Sequence, residues 1–166
     1  NISIKKLAKK FATPFYCYSS NTIIQKYKKF ELPFRNSDTI ICYAVKANPN
    51  IAILKILSNL GAGAEVVSAG ELGRALKAGV KAKKIVFSGV GKSYSEIKFA
   101  IEKSILQINI ESIEELELIT KIAKKLRKKV QIGIRINPNI DAKTHTKIST
   151  GREEDKFGLD IKTINL

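Results

Sequence analysis

Tyr43-Ala44-Val45-Lys46-Ala47-Asn48 closes an apolar run, residues 39–45, that is rich in β-branched and aromatic side chains. Such a run predicts a buried strand, and the following Asn48-Pro49-Asn50 predicts both the end of that strand and the cap of a helix. Lys46 is therefore expected at the carboxyl end of a buried strand. Apolar surroundings disfavour the ammonium form of a lysine, and the neutral amine is what Schiff-base chemistry needs. The alternative is a lysine whose charged end reaches solvent.

Strand-like and helix-like segments alternate along the rest of the chain, at intervals of roughly 20 to 25 residues. Five predicted strands end near Lys46, Ser68, Ser88, Glu111 and Asn137. Helices are predicted at 20–30, 51–60, 68–79, 93–103 and 112–127. The last three helices open with the capping-box pattern Ser-x-x-Glu. This succession predicts parallel strands whose carboxyl ends meet at one edge.

The remaining segments are less regular. Residues 13–18 predict a further strand that is entered through a proline, and residues 1–10 are expected to be peripheral. Residues 137–156 predict a long polar loop, and Asp160 is expected to cap a last helix.

Two folds accommodate five such units: an open flavodoxin-like sheet and part of a (β/α)8 barrel. An open sheet of five strands leaves two long edges bare. The short interval and the absence of a reversal signal favour the barrel, which needs eight units and about 250 residues. We therefore predict an α/β fold, a partial (β/α)8 TIM barrel of about five βα units.

Composition excludes several classes of partner. The net charge is +15, but the lysines are scattered and no aromatic residues alternate with them as base-stacking platforms, so we predict a solvated basic surface and no nucleic-acid partner. The sequence contains no run of 18 apolar residues, so no transmembrane helix is predicted. Cys17 and Cys42 lack metal-ligand spacing and are expected to be buried free thiols in a reducing cytoplasm. Methionine is absent even from position 1, which suggests a piece of a longer chain or a processed product.

Ligands of barrels and open α/β sheets bind at the carboxyl ends of the strands. Nine polar residues are predicted there: Lys46, Asn48, Glu65, Ser68, Ser88, Asn109, Glu111, Arg135 and Asn137. Ser88-Gly89-Val90-Gly91-Lys92-Ser93 could bind an anion at the start of a helix, or be only a tight turn. The loop after the fifth strand carries His145 and is long enough to act as a lid.

These stretches resemble a known family. Tyr43-Ala44-Val45-Lys46-Ala47-Asn48 resembles the signature of the fold-type III pyridoxal-phosphate decarboxylases, and residues 63–72 and 87–92 resemble its next two blocks. Three further stretches, at 135–138, 143–151 and 156–158, are similar to the branch of the family that acts on diaminopimelate. The resemblance extends from about residue 13 to the end of the chain.

The resemblance implies that Lys46 bonds to pyridoxal 5′-phosphate as the Schiff-base lysine. It implies that Glu65, Ser88 and Arg135 lie around the cofactor, Glu65 standing where the family usually has aspartate. The segment with His145 and Ile148 corresponds to one that closes over the substrate. The implied reaction is decarboxylation of meso-2,6-diaminopimelate, a small amino acid, to L-lysine, in a cytoplasmic homodimer.

Other parts of the family pattern lie beyond Leu166, namely the cofactor-stacking histidine, the glycine-rich phosphate site, the acid at the pyridine nitrogen and the proton-donating cysteine. We therefore expect residues 19–166 to be an incomplete cofactor-binding barrel, inactive by itself and without the C-terminal β domain that residues 1–18 would join. Three alternatives stay open: a decarboxylase of arginine, ornithine or carboxynorspermidine, a non-catalytic remnant, and a nucleic-acid binder whose affinity would depend on salt.

Overall fold

Neighbouring strands in the sequence are also neighbours in the sheet. The computed structural model describes residues 2–138 and 158–160. Five parallel strands lie in the order β1-β2-β3-β4-β5: Cys42–Ala44, Gly63–Val66, Ile85–Phe87, Gln107–Ile110 and Ile132–Ile134. A separate parallel pair is formed by β6 (Ile136–Asn137) and β7 (Leu159–Asp160).

Helices connect the strands and cover one face of the sheet. The six helices α1 to α6 are Ile4–Lys10, Ser20–Glu31, Ile51–Asn59, Ala69–Lys77, Tyr94–Glu102 and Ile113–Leu126. Those predicted from α2 onward agree with the structure to within three residues at each end. Within the described part of the chain, no helix combines the length and the apolar character that a membrane crossing needs.

The strand order distinguishes between the two predicted folds. A flavodoxin-like sheet reverses its direction of growth after the first crossover, in the order 2-1-3-4-5. Here every crossover leads to the adjacent strand on the same side, and the register continues across the sheet, with Ala44 opposite Glu65 and Glu65 opposite Val86. This order confirms the prediction of five units of a (β/α)8 barrel.

The core lies between the sheet and the helices. Strand residues on this face are almost fully buried: Ala64, Val66, Ile85, Phe87, Ile108 and Ile110. They pack against buried helix residues such as Leu54, Leu72, Ile97, Ile119 and Ile122. Each large apolar side chain that is fully buried contributes about 1.5–3 kcal/mol through loss of contact with water. The core therefore holds the strands in place although the sheet has open edges.

The opposite face of the sheet carries the alternate residues and is more polar. Glu65, Val86, Gln107 and Asn109 point to this side and are half-buried. Side chains alternate between the two faces of a strand, so this face is the one that turns toward the axis of a barrel.

Two predictions at the amino end of the chain are wrong. No strand forms within residues 13–18, where Tyr16 and Tyr18 are 92% and 53% exposed. A strand needs a neighbouring strand for its backbone hydrogen bonds, and no described segment pairs with this one. Cys17 is exposed rather than buried, whereas Cys42 is half-buried.

Asp160, the predicted cap of a last helix, lies in β7 in register with Asn137. The residues of that predicted helix lie outside the described part of the chain. The Leu159 N–H donates to the Arg135 carbonyl at 2.8 Å, so pairing along β6 holds this segment extended. Residues 1–10, expected to be peripheral, include α1, which has no buried side chain.

Only one of the three predicted capping boxes is reciprocal. Ser93 accepts from the Glu96 N–H, and the Glu96 carboxylate accepts from the Ser93 N–H at 3.1 Å. At α4 and α6 the serine caps in the same way, but Glu71 and Glu115 instead accept from the N–H of the residue before the cap, Val67 or Glu111. These glutamates therefore fix the strand ends as well as the helix starts.

The Glu96 carboxylate should make part of the free energy of unfolding depend on pH. It accepts hydrogen bonds from the N–H groups of Ala69 and Ser93, and these bonds, Ala69 first, lower the pKa of Glu96 below its ordinary value of 4.5. A carboxyl whose pKa is lower in the folded state stabilises the fold at pH values above its ordinary pKa. This contribution is lost as the pH falls toward the pKa of the folded state.

We therefore expect Glu96→Gln to lower the free energy of unfolding at neutral pH, with a difference from wild type that shrinks as the pH falls through 4.5. Urea unfolding followed at a series of pH values measures this difference. A difference that stays constant down to the acid range would contradict the assignment.

Candidate functional site

Lys46 lies directly after β1, in a single 3-10 turn, Val45–Ala47. Val45 is completely buried and anchors the turn in the core, while Lys46 is exposed. The turn closes through a hydrogen bond from the Asn48 N–H to the Val45 carbonyl at 3.1 Å. Asn50 then caps α3 by accepting from the Ala52 N–H at 2.9 Å. The predicted position at a strand end is correct, and of the two environments considered for the amine the structure shows the solvent-exposed one.

Glu65 is half-buried on the polar face of β2, in register with Ala44 of β1. Its neighbour on this face is Cys42, whose thiol has a raised pKa, first through burial and then through the charge of Glu65. Residue 63 beside it is glycine, and a Cβ there would collide with the Lys84 carbonyl and lie 2.8 Å from Cys42 Sγ. Glu65 therefore lies opposite Ala44, and Lys46 follows two residues later toward the same edge of the sheet.

Ser88 belongs to a row of polar side chains across β3 and β4. Asn109 Nδ2 donates to Ser88 Oγ at 3.0 Å, and Gln107 Nε2 donates to Asn109 Oδ1 at 2.7 Å. Gly133 of β5 leaves room for these amides, since a Cβ there would collide with both of them. This row holds the Ser88 oxygen in place through the hydrogen bond from Asn109.

Arg135 follows β5 and forms an ion pair with Glu111, which follows β4. Arg135 Nη1 lies 3.2 Å from both Glu111 Oε1 and Oε2. The Glu111 side chain is 5% exposed and that of Arg135 is 38% exposed. Glu111 Oε1 also accepts from the Gly89 N–H at 3.2 Å. One carboxylate therefore connects the loops that follow three neighbouring strands.

Lys92 lies beneath these loops and is almost fully buried. Its ammonium donates to the carbonyls of Gly89 (2.6 Å) and Asn109 (2.7 Å) and to the Glu115 carboxylate at 3.0 and 3.1 Å. The amine is enclosed by protein acceptors, so the loop at 88–93 is a tight turn and not an anion site built on this lysine. The sequence showed Glu115 only as a capping residue and offered no signal for its pairing with Lys92.

The structure thus brings together part of the predicted set. Ser88, Asn109, Glu111 and Arg135 are joined through hydrogen bonds around the ends of β3, β4 and β5. Lys46 and Glu65 lie on the same edge at β1 and β2. The predicted lid residues His145 and Ile148 lie outside the described residues.

Comparison with known proteins adds independent information. The family model for the pyridoxal-binding domain of pyridoxal-dependent decarboxylases matches residues 20–166. The diaminopimelate decarboxylase of Helicobacter pylori strain J99 is 52% identical over 158 residues, which cover 95% of this chain and 39% of that protein. The diaminopimelate decarboxylase of Aquifex aeolicus is 48% identical over 161 residues, covering 97% of this chain and 38% of that protein.

Solved structures give the same result. The crystal structure of diaminopimelate decarboxylase from Helicobacter pylori complexed with L-lysine superposes with a TM-score of 0.93 at 50% identity, over 97% of this chain and 41% of that one. The enzyme from m. jannaschi superposes with a TM-score of 0.88 at 44% identity, over 96% of this chain and 38% of that one. This chain therefore spans about 40% of its relatives' length, and it belongs to the family of pyridoxal-dependent decarboxylases through their pyridoxal-binding domain.

Proposed function

We propose that this chain supplies the pyridoxal-phosphate-binding part of an enzyme that decarboxylates meso-2,6-diaminopimelate to L-lysine, the last step of lysine biosynthesis. The observation that carries the proposal is an exposed primary amine, Lys46, at the carboxyl end of β1 in a chain about half identical to diaminopimelate decarboxylases. We propose further that the enzyme is a cytoplasmic homodimer and that residues 1–18 join a C-terminal β domain. In support of the last point, Phe11, Phe15, Tyr16 and Tyr18 are exposed.

The side chains at the carboxyl edge of the sheet fit the cofactor chemically. An accessible lysine amine is the group that condenses with an aldehyde, and Lys46 is held there by a turn anchored in the core. The Ser88 hydroxyl and the Arg135 guanidinium are hydrogen-bond donors suited to its oxygens. The Glu65 carboxylate lies on the same edge as Lys46.

When bound, pyridoxal phosphate supplies an electron sink for the pair of electrons left at the α-carbon as carbon dioxide departs. The protein's part is to hold and orient. Lys46 would hold the cofactor through its ε-nitrogen. Glu65 would lie near it on the same edge of the sheet, and Ser88 and Arg135 would orient the cofactor through hydrogen bonds. His145 and Ile148 are proposed as substrate-covering residues from the family resemblance.

The proposal is tested on the protein as its gene encodes it, by measuring carbon dioxide and L-lysine formed from meso-diaminopimelate with pyridoxal phosphate present. We expect turnover of this substrate and little or none of arginine, ornithine or carboxynorspermidine. Preferential release of carbon dioxide from one of those three would overturn the substrate assignment. The 166-residue chain alone is expected to release none.

A further inference from the structure

Glu111 links two ion pairs, Lys92 with Glu115 and Arg135 with Glu111, into one network. The Glu111 carboxylate pairs with Arg135, and the Glu111 N–H donates to the Glu115 carboxylate. The acidic members of the network are buried, with Glu111 and Glu115 only 7% and 8% exposed. Buried charges persist only when they are paired and hydrogen-bonded, so each member constrains the positions of the others.

The network holds both sides of the loop that follows β3. The Gly89 N–H donates to Glu111 Oε1 at 3.2 Å, and the Gly89 carbonyl accepts from Lys92 Nζ at 2.6 Å. The Glu111 backbone is held in turn, since its N–H donates to Glu115 Oε2 at 2.9 Å. Gly89, Lys92, Glu115 and Glu111 therefore form a closed ring of hydrogen bonds, and the Glu111 carboxylate has little freedom to move.

Arg135 is the one member of the network that reaches the mouth of the barrel. Its side chain is 38% exposed, and its Nη1 contacts both oxygens of the fixed Glu111 carboxylate. A guanidinium is planar and presents its donors in a rigid fork, so a contact at Nη1 restricts where its other nitrogens can lie. The contact with Glu111 therefore removes part of the rotamer freedom that a long arginine side chain has at the sheet edge.

We infer that Glu111 is a positioning residue, which orients the Arg135 guanidinium for the anionic groups of the bound cofactor. This inference rests on the proposed function. An alternative predicts the opposite effect on cofactor affinity, because the Glu111 carboxylate also neutralises the positive charge of Arg135. If charge alone mattered, removal of the carboxylate would strengthen anion binding, whereas loss of orientation weakens it.

The test is the dissociation constant of pyridoxal phosphate, measured by equilibrium dialysis with the protein as its gene encodes it. Glu111→Gln keeps an acceptor for the Gly89 N–H but removes the charge that holds Arg135. We expect it to weaken cofactor binding about tenfold, the size of one charge-assisted hydrogen bond. Glu111→Asp keeps the charge and is expected to restore part of the affinity. The matched control is Glu96→Gln, which removes a carboxylate that caps the same loop's helix without contacting Arg135.

A double-mutant cycle with Arg135→Gln separates positioning from general loss of structure. If Glu111 acts through Arg135, adding Glu111→Gln to Arg135→Gln changes the dissociation constant by less than about twofold. Unchanged or tighter binding by Glu111→Gln would overturn this inference and leave the proposed function standing. The same holds if Glu111→Gln has an equal effect with Arg135 present and with Arg135→Gln. A wild-type protein that binds no pyridoxal phosphate would overturn the proposed function and this inference with it.

Discussion

Lys46→Ala is expected to abolish covalent attachment of pyridoxal phosphate. Borohydride reduction of the wild-type protein with the cofactor should leave a pyridoxyl group on the peptide that contains Lys46, and the variant should leave none there. Turnover should fall on the order of a thousandfold, since the lysine supplies the bond to the cofactor. Peptide mass spectrometry measures the first effect, and carbon dioxide release measures the second.

The matched control for this prediction is Lys55→Ala. Lys55 is also exposed, but it lies on α3 and away from the carboxyl edge of the sheet. Its replacement should leave both the labelling of Lys46 and the turnover unchanged. Labelling spread over many surface lysines, with no preference for Lys46, would argue against a competent cofactor site.

Lys92→Met is expected to cause a large loss of stability without involving the reacting groups directly. The Lys92 side chain is 1% exposed, and methionine of similar length leaves the Glu115 carboxylate buried without its counter-ion. Removal of one partner of a buried ion pair costs about 3–5 kcal/mol. For a chain of this size the melting temperature should fall by about 10 °C. Urea unfolding and thermal melting measure the two quantities.

Two further variants make this prediction specific. Lys98→Met breaks an exposed ion pair with Glu102, in which both side chains are nearly half exposed, and should change the free energy of unfolding by no more than about 0.5 kcal/mol. Lys92→Met combined with Glu115→Gln removes both charges and should recover part of the loss. Equal costs for Lys92→Met and Lys98→Met would show that the buried pair is not the source of the stability.

The helices were predictable because their signals are local. Apolar spacing and serine caps act over three or four residues, so α3 to α6 appear where the sequence indicates them. The caps themselves were predicted only in part. The serines bind as expected, but whether Glu71 and Glu115 return to the serine or to the strand end depends on where the strand lies.

The environment of the lysines was not predictable in the same way. Lys46 follows an apolar run, yet it is exposed, while Lys92 lies in a polar glycine-containing loop, yet it is buried. Burial depends on which segments pack over a residue, and the acceptors that enclose Lys92 include Asn109 and Glu115, 17 and 23 residues away. No short-range pattern contains that information.

The sequence by itself determined the βα alternation, the position of Lys46 at a strand end and the resemblance to pyridoxal-dependent decarboxylases, because each is written in contiguous residues. The tertiary structure alone decided the strand order that distinguishes a barrel from an open sheet, the absence of a strand at 13–18, and the ion-pair network around Glu111. These features arise from contacts between segments distant in the chain, and such contacts form only when the core between sheet and helices brings the strand ends together.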